Sequence, residues 1–464
     1  IFQLVQEVHL RFNINCYFIF CSKLVTVVKM PKSKSKKKRT EGKGRERFPN
    51  AEGGSEDDSV IDNASIISLC SENSFCDETA ANAYTPFQEE EETPLDDLFE
   101  EKLKENIDQL VEKSAQGRTS AYNAVSKAFI SRVIPEFVFD RYVTICDAIA
   151  KSLKKGKNAE RAASADVAKL LIIQLGMTDE SEIVYKELKP ILITILNDVS
   201  VSTLARAKSA ICLGTCTFLA ENDLEEIRCV AKVMENIFSK PIKKSEGTDN
   251  SLSEVFLLYN GALTSWNLLL TLLTPLAVLE NIDRYVTILL NLLESSDVNL
   301  RITAGESLAL LHEIAWDHDP DYELPNTSEV LALLKQLATD SHKYRAKKDR
   351  KQQRSSFRDV LKFVEEAEYP YISVKFGIEV LVLDSWTKKI QYDGFCQILG
   401  SGMNLHLQEN ELLREVFHLG APIPASEKKM HKTSKLERHM YNMAAFKART
   451  LQRNKVRDKR SVVL

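Results

Sequence analysis

Four groups of residues in this sequence carry side chains whose types and spacing could do chemistry. Gly400-Ser401-Gly402 sets a hydroxyl between two glycines. It lacks both the Gly-x-Ser-x-Gly spacing of a nucleophile elbow and the Lys-Ser/Thr ending of a phosphate loop, so it reads as a plain turn. Asp317-His318-Asp319-Pro320-Asp321 offers oxygen ligands to a hard cation. No second ligand set accompanies it, and a solvated loop between helices is the expectation. His312 sits beside Leu311 in an apolar run and reads as a hydrogen-bonded structural histidine. The nine cysteines contain no Cys-x-x-Cys pair. Cys146, Cys212 and Cys229 lie singly in apolar runs, and Cys212 and Cys216 stand one helical turn apart. That usage fits buried thiols in a reduced intracellular protein. These groups assemble no catalytic, metal or cofactor site, so the sequence predicts a protein that is not an enzyme and takes no small-molecule substrate.

What the sequence does carry is segregated charge. The formal net charge of −4 is small, but it hides blocks. Residues 32–47 hold nine Lys/Arg, Glu89–Glu101 hold eight acids and no base, and residues 428–460 hold twelve Lys/Arg against Glu437 and Asp458. In the last block Leu436, Met440, Met443, Phe446 and Leu451 recur at helical spacing, with Ala444, Ala445 and Ala448 favouring helix. A rod so charged matches phosphate backbones, each neutralised phosphate releasing condensed counterion. The RNA- or ribosome-binding candidates are Lys435, Arg438, Tyr441, Phe446, Lys447, Arg449, Arg453, Lys455, Arg457, Lys459 and Arg460. The two aromatic rings could stack on bases or pack on protein. A solvated amphipathic helix docked on the rest of the chain is the alternative, with a membrane surface a distant third. Lys36, Lys37, Lys38 and Arg39 fit a nuclear-import signal or a nonspecific RNA contact. The acidic block reads as a solvated helix start, favoured by the helix dipole, or as an intramolecular shield for the basic tail.

These charges must be positioned by helices. The chain has 464 residues, 44% of them hydrophobic, with only 16 glycines and 13 prolines. That composition disfavours a turn-rich β architecture. Asp-Arg-Tyr-Val-Thr-Ile occurs at 140–145 and, identically, at 283–288. Each copy precedes a helix led by an arginine, Arg161 or Arg301, and a third such helix begins at Arg206. At offsets 3, 4, 7 and 10 from these arginines stand Ser164, Ala165, Ala168 and Leu171; Ser209, Ala210, Leu213 and Cys216; and Ala304, Gly305, Leu308 and Leu311. These offsets mark one helical face, whose small residues admit a neighbouring helix closely. One degenerate unit, Leu257–Leu273 with Gly261, Ala262 and Trp266, fills the gap between Arg206 and Arg301. A spacing near 45 residues is that of armadillo and HEAT arrays. The expected fold is therefore all-α, an armadillo/HEAT-like helical-repeat solenoid with Arg161, Ala165, Arg206, Ala210, Arg301 and Gly305 as its packing positions. A small mixed C-terminal cap and the basic helical tail complete it.

The organisation expected is as follows. Residues 1–29, before Met30, read as translated upstream sequence, and 30–94 as a disordered basic and acidic region too poor in apolar side chains to fold. Within it, Ile61–Cys70 is a slightly apolar island. Residues 95–340 form the repeats, 341–425 the cap and 426–464 the tail. Pro190, Pro275 and Pro320 are placed near helix starts or joints, and Lys240–Ser251 is read as a polar loop between repeats. Residues 341–358 carry eight Lys/Arg against one acid and precede a helix over Phe357–Glu368. The stretch Tyr371–Leu383 is β-prone, and glycine turns are expected at Gly394 and Gly400-Ser401-Gly402.

Several long motifs give a resemblance. Arg301-Ile-Thr-Ala-Gly-Glu-Ser-Leu-Ala-Leu-Leu, Ala338-Thr-Asp, Phe357-Arg-Asp-Val-Leu, Lys375-Phe-Gly, Leu399-Gly-Ser-Gly-Met and Glu437-Arg-His-Met-Tyr-Asn-Met-Ala-Ala-Phe-Lys-Ala-Arg-Thr follow one another in order. In this the chain resembles the interferon-related developmental regulator family over about residues 95–462, while 30–94 matches only in character. The resemblance implies an armadillo-like fold without catalytic activity. It also implies a regulator of proliferation and differentiation, acting as a transcriptional co-regulator through a histone-deacetylase co-repressor assembly. The alternative it implies is a ribosome-binding translational repressor, whose segment corresponding to Arg438–Arg460 occupies the messenger-RNA path. Nuclear and cytoplasmic localisation is the matching expectation, with no cofactor and no membrane partner.

Overall fold

The computed structural model describes residues 93–241, 249–339 and 346–424, together with Met440 and Met443. The small-residue periodicity becomes a two-row helical array. Its elements are α1 (Thr93–Gln109), α2 (Ala115–Ser131), α3 (Pro135–Phe139), α4 (Tyr142–Lys155), α5 (Asn158–Leu175), α6 (Asp179–Asn197) and α7 (Thr203–Ala220). There follow α8 (Leu224–Phe238), α9 (Asp249–Leu270), α10 (Pro275–Leu279), α11 (Ile282–Leu293), α12 (Val298–His318), α13 (Thr327–Thr339) and α14 (Lys347–Glu366). An inner row runs α2, α5, α7, α9, α12, α14, each helix packed on the next, while α4, α6, α8, α11 and α13 form the outer row.

The two rows differ for a visible reason. The central inner helices are covered on nearly every side: α5 buries all but four of its residues, and α12 is buried from Leu300 to Ala315 but for Thr303 and Glu306, while α2 and α14, at the ends of the row, each keep an open face. A helix enclosed in this way is apolar or small all round, whereas outer helices keep one wet face. Every marked position at offsets 3, 4, 7 and 10 is buried, Ala165 and Ala210 completely. At Gly305 a Cβ would stand 2.6 Å from the Phe357 ring, so glycine is what lets α14 lie against α12. The two hexapeptide copies open α4 and α11, and each follows a one-turn helix with proline in its first turn, Pro135 or Pro275.

The repeated arginines have a common task. Arg161 Nη2 donates to the Lys154 carbonyl at 3.2 Å, and Arg206 Nε and Nη2 donate to the Leu196 carbonyl at 3.1 and 2.9 Å. Arg301 Nη1 donates to the Ser295 carbonyl at 2.5 Å, while its Nε and Nη2 share Gln353 Oε1 from α14. Arg161 and Arg206 thus close the end of the outer helix before them, where the last carbonyls have no partner within their own helix, and Arg301 holds the carbonyl of the loop just beyond α11. The degenerate unit lacks the arginine, and there the Tyr259 hydroxyl donates to the Lys240 carbonyl at 3.1 Å. Side-chain caps start several helices: Ser114, Ser202, Asp223 and Asp297 each accept from a backbone N–H in the first turn.

After α14 come the antiparallel strands β1 (Ile372–Phe376) and β2 (Glu379–Leu383), turning at Gly377 with φ of +56°. Then follow α15 (Trp386–Leu399), a 3₁₀ turn at Gly400–Gly402, α16 (Met403–Glu409) and α17 (Glu411–Val416).

Several expectations are corrected. Pro190 lies inside α6, on its exposed side, where the carbonyl it leaves unpaired can face water. Gly394 is helical within α15, because Trp386, Ile390, Phe395 and Ile398 hold the surrounding turns in the core. The helix expected from Phe357 begins ten residues earlier, at Lys347. Cys229 is exposed rather than buried, unlike Cys146, Cys212 and Cys216. His312 is buried as expected but is not hydrogen-bonded: it packs 4.7 Å from Trp316 and 5.4 Å from Phe363, and neither ring nitrogen has a partner.

Replacing Ala210 by Arg is expected to unfold the array or lower its melting temperature by several degrees. The site has no accessible surface, overpacking alone costs about 1–3 kcal/mol, and the charge would have no partner. A thermal melt matching the unmodified chain would contradict the packing register.

Candidate functional site

The segment from 386 to 417 is more than a cap at one end: it returns along the inner row towards its beginning. Its first residues sit on α12. Glu313 accepts from Trp386 N at 2.6 Å and from Thr387 N and Oγ1 at 2.9 and 2.6 Å, placing a carboxylate at the N-terminus of α15, where the helix dipole favours it. Burial nevertheless raises the Glu313 carboxyl above its ordinary range, against the lowering effect of those bonds. One turn on, Lys389 Nζ lies 2.7 Å from both Glu306 of α12 and Asp393. Burial acts to lower this ammonium, but Asp393 and Glu306 outweigh it and hold it above the usual lysine range.

From there α15 crosses the row. Gln391 Nε2 donates to Thr271 Oγ1, just past α9, at 3.1 Å, and Phe395 meets Phe218 of α7 edge-on at 6.0 Å. Fourteen residues give a helix about 21 Å long, which matches two interhelix spacings of about 8–10 Å. The following turn reaches α2, where a Cβ on Gly402 would stand 2.1 Å from the Ile130 carbonyl. His406 Nε2 pairs with the Phe129 carbonyl at 3.0 Å, and Asn410 Nδ2 donates to Ile173 of α5 at 2.9 Å. Trp386, Leu399, Met403, Leu407, Leu413 and Phe417 are buried along the way. This clasp covers the C-terminal ends of the inner helices.

Arg414 fastens its far end. The guanidinium donates to both carboxylate oxygens of Glu379 on β2 at 2.9 and 2.8 Å, and to the carbonyls of Leu407, Leu419, Gly420 and Ala421. A bidentate pair of this kind fixes geometry as well as charge. The basic tail therefore departs from a fixed root just beyond Ala421.

The structure places Arg161, Ala165, Arg206, Ala210, Arg301 and Gly305 in the inner row, where they act in packing and helix closure. Lys36, Lys37, Lys38 and Arg39 lie outside the described residues. So do Lys435, Arg438, Tyr441, Phe446, Lys447, Arg449, Arg453, Lys455, Arg457, Lys459 and Arg460. Met440 and Met443 are helical and exposed. Asp319 and Asp321 lie in the exposed turn after α12, Asp319 Oδ1 accepting from Asp321 N. Among the described residues no group of three or more His, Cys, Asp or Glu side chains is placed to hold a metal, and no helix is long and apolar enough to cross a membrane. Sequence reasoning missed Glu313, Lys389, His406, Asn410 and Arg414, whose partners, Arg414's contacts within the cap apart, lie mostly 70 to 280 positions away.

Comparison with known proteins fits this architecture. The family model described as interferon-related developmental regulator matches residues 63–365, and that described as interferon-related protein conserved region matches residues 410–461. The chain belongs to the interferon-related developmental regulator family. Interferon-related developmental regulator 1 of Mus musculus is 44% identical over 405 residues, covering 87% of this chain and 90% of that protein. The Homo sapiens protein of the same name is 42% identical over 405 residues, again covering 87% and 90%. Interferon-related developmental regulator 2 of Mus musculus is 43% identical over 370 residues, covering 79% of this chain and 84% of that protein. As members of this family, all of these proteins carry the name of regulators.

The buried His312 gives a pH test. Burial lowers its pKa from 6.5 to about 4, so the folded protein holds it neutral while the unfolded chain protonates it below about 6.5. Its contribution to stability is complete above pH 6.5 and is lost as pH falls towards 4, by roughly 3 kcal/mol at most. His312→Leu should flatten the fall in melting temperature across that window, while His406, also lowered by burial, adds slope of the same sign and the raised carboxyls of Glu306, Glu313 and Asp359 add slope of the opposite sign. An unchanged acid limb would contradict a neutral His312.

Proposed function

We propose that this chain is a non-enzymatic helical-repeat scaffold that regulates gene expression in proliferation and differentiation, acting as a transcriptional co-regulator through protein–protein contacts. The observation that carries this reading is the surface left open by the clasp. With inner-helix ends covered, large apolar side chains remain exposed on the outer row, Val143 on α4 and Ile183 on α6, and on the one-turn helices that precede outer helices, Phe139 on α3 and Leu276 on α10. Exposed apolar groups on a rigid array suit protein partners. A histone-deacetylase co-repressor assembly is the proposed partner, and the nucleus and cytoplasm are the proposed locations.

A second reading has its own support. The conserved-region match at 410–461 includes the tail, where twelve bases face two acids between 428 and 460. Charge of that density suits the phosphate backbone of RNA. On this reading the protein docks on ribosomes as a translational repressor, and the segment from Arg438 to Arg460 enters the messenger-RNA path.

Three variants separate the readings. Val143→Glu with Ile183→Glu should abolish recovery of histone-deacetylase co-repressor subunits, while a chain ending at residue 425 should keep it. Recovery unaffected by the double variant contradicts the outer-row surface, and loss on truncation moves the contact to the tail. Replacing Lys447, Arg449, Arg453, Lys455 and Arg457 by Glu should abolish co-sedimentation with ribosomes at moderate salt. Unchanged sedimentation contradicts the RNA-path reading.

A further inference from the structure

The β1–β2 hairpin has one face that the fold leaves uncovered. Successive side chains of a strand point to opposite faces. Phe376, Leu381 and Leu383 turn inward and are buried, and Glu379 on the same side meets Arg414. The outward positions pair Lys375 with Val380 and Ser373 with Val382, with Tyr371 just before β1 and Ile378 in the turn. An antiparallel sheet with one face in water ordinarily carries polar side chains on that face. Here Tyr371 is 75% exposed, Ile378 and Val380 are exposed, and Val382 is half-buried. From Ile378 to Val382 the apolar row runs about 13 Å along the strand. Exposed apolar groups gathered in this way mark an interaction surface.

The same chain carries a second apolar face without a cover. In the tail, Leu436, Met440 and Met443 stand at offsets 0, 4 and 7, one side of a helix, and Lys447 ends the row. The row is about 10 Å long at the helical rise. Met440 and Met443 are helical, and they are 63% and 59% exposed. The root of the tail already lies at the hairpin. Arg414 Nη2 donates to Glu379 of β2 at 2.8 Å and to the Ala421 carbonyl at 3.0 Å, so one nitrogen ties strand and root together. The fifteen residues from Ala421 to Leu436 can span up to about 50 Å, ample for a return to the hairpin.

We propose that the outward face of the hairpin, formed by Tyr371, Ile378, Val380 and Val382, is a docking surface for this chain's own tail, whose Leu436, Met440 and Met443 pack against it. The structure shows the open arrangement, in which both apolar faces meet water. Docking covers both at once, and the two rows agree in length. A short tether holds its segment at an effective concentration in roughly the millimolar range. A second copy of the chain has no such advantage. On a helix seated this way Arg438 points to water while the methionine side is hidden. A partner that encloses the whole helix must therefore lift it first. The inference goes beyond both functional readings and needs neither to hold.

The test is photo-cross-linking of the full chain at low micromolar concentration, with p-benzoylphenylalanine in place of Met440 and the products mapped by mass spectrometry. The main cross-link should join position 440 to the 371–383 peptide at the mass of one chain. Tyr371→Lys/Val380→Lys should lower its yield by about tenfold or more, a loss of about 1.4 kcal/mol in docking. Circular dichroism should show that variant folded, because both side chains are exposed. Met443→Lys, outside the array, should lower the yield in the same way. Cross-linking at twice the chain mass would make the face an interface between copies and would overturn the proposal. So would cross-links confined to other parts of the array, none at all, or an unchanged yield in either folded variant.

Discussion

The constraint on which the rest of this structure depends is that the last carbonyls of a helix have no partner within it. A stack of helices multiplies that cost at every joint, and buried carbonyls are expensive to leave unmet. The chain meets the requirement twice over. At one set of ends Arg161 and Arg206 reach from an inner helix to the last carbonyls of the outer helix before it, while Tyr259 and Arg301 hold the carbonyls of Lys240 and Ser295 just beyond α8 and α11. At the other, Gln174, His406 and Asn410 satisfy the carbonyls of Phe129 and Ile173 at the ends of α2 and α5. Two of these last three side chains come from the clasp.

The clasp has consequences for function. The inner-helix ends that a repeat array can offer to a partner are here occupied by residues 386–417 of the same chain. What remains available is the outer row with its exposed apolar side chains, and a tail whose root Arg414 holds in place. Regulation through contacts on these surfaces needs no pocket, and the charged side chains buried inside the array are taken up by structural bonds. Glu313 caps α15, Lys389 sits between two carboxylates, and Arg414 is saturated.

Much of the array was legible in the sequence, because its signal is local and repeated. The identical hexapeptides, the three arginines and the small residues four positions beyond them lie within short windows, and the structure puts all of them where their periodicity required. The role of the arginines was not legible, since it depends on the position of the preceding helix end. Tyr259 carried no pattern at all, because it performs the same task with different chemistry from a different offset. The clasp was legible only as a few elements. His406 bonds a residue 277 positions away and Asn410 one 237 away, and no periodicity reports a pairing at that range. Pro190 and Gly394 were misplaced for a related reason: tertiary packing overrode local propensity.

Central to the account is the claim that the clasp and the inner row form one cooperative unit. Native-state hydrogen exchange tests it most directly, because it reads the opening free energy of each backbone amide. The amides of α15 and α16 should exchange with the same free energy and the same denaturant dependence as those of α5 and α7. Exchange of 386–409 at a much lower free energy, while α5 and α7 remain protected, would show that the clasp opens by itself and would contradict the account.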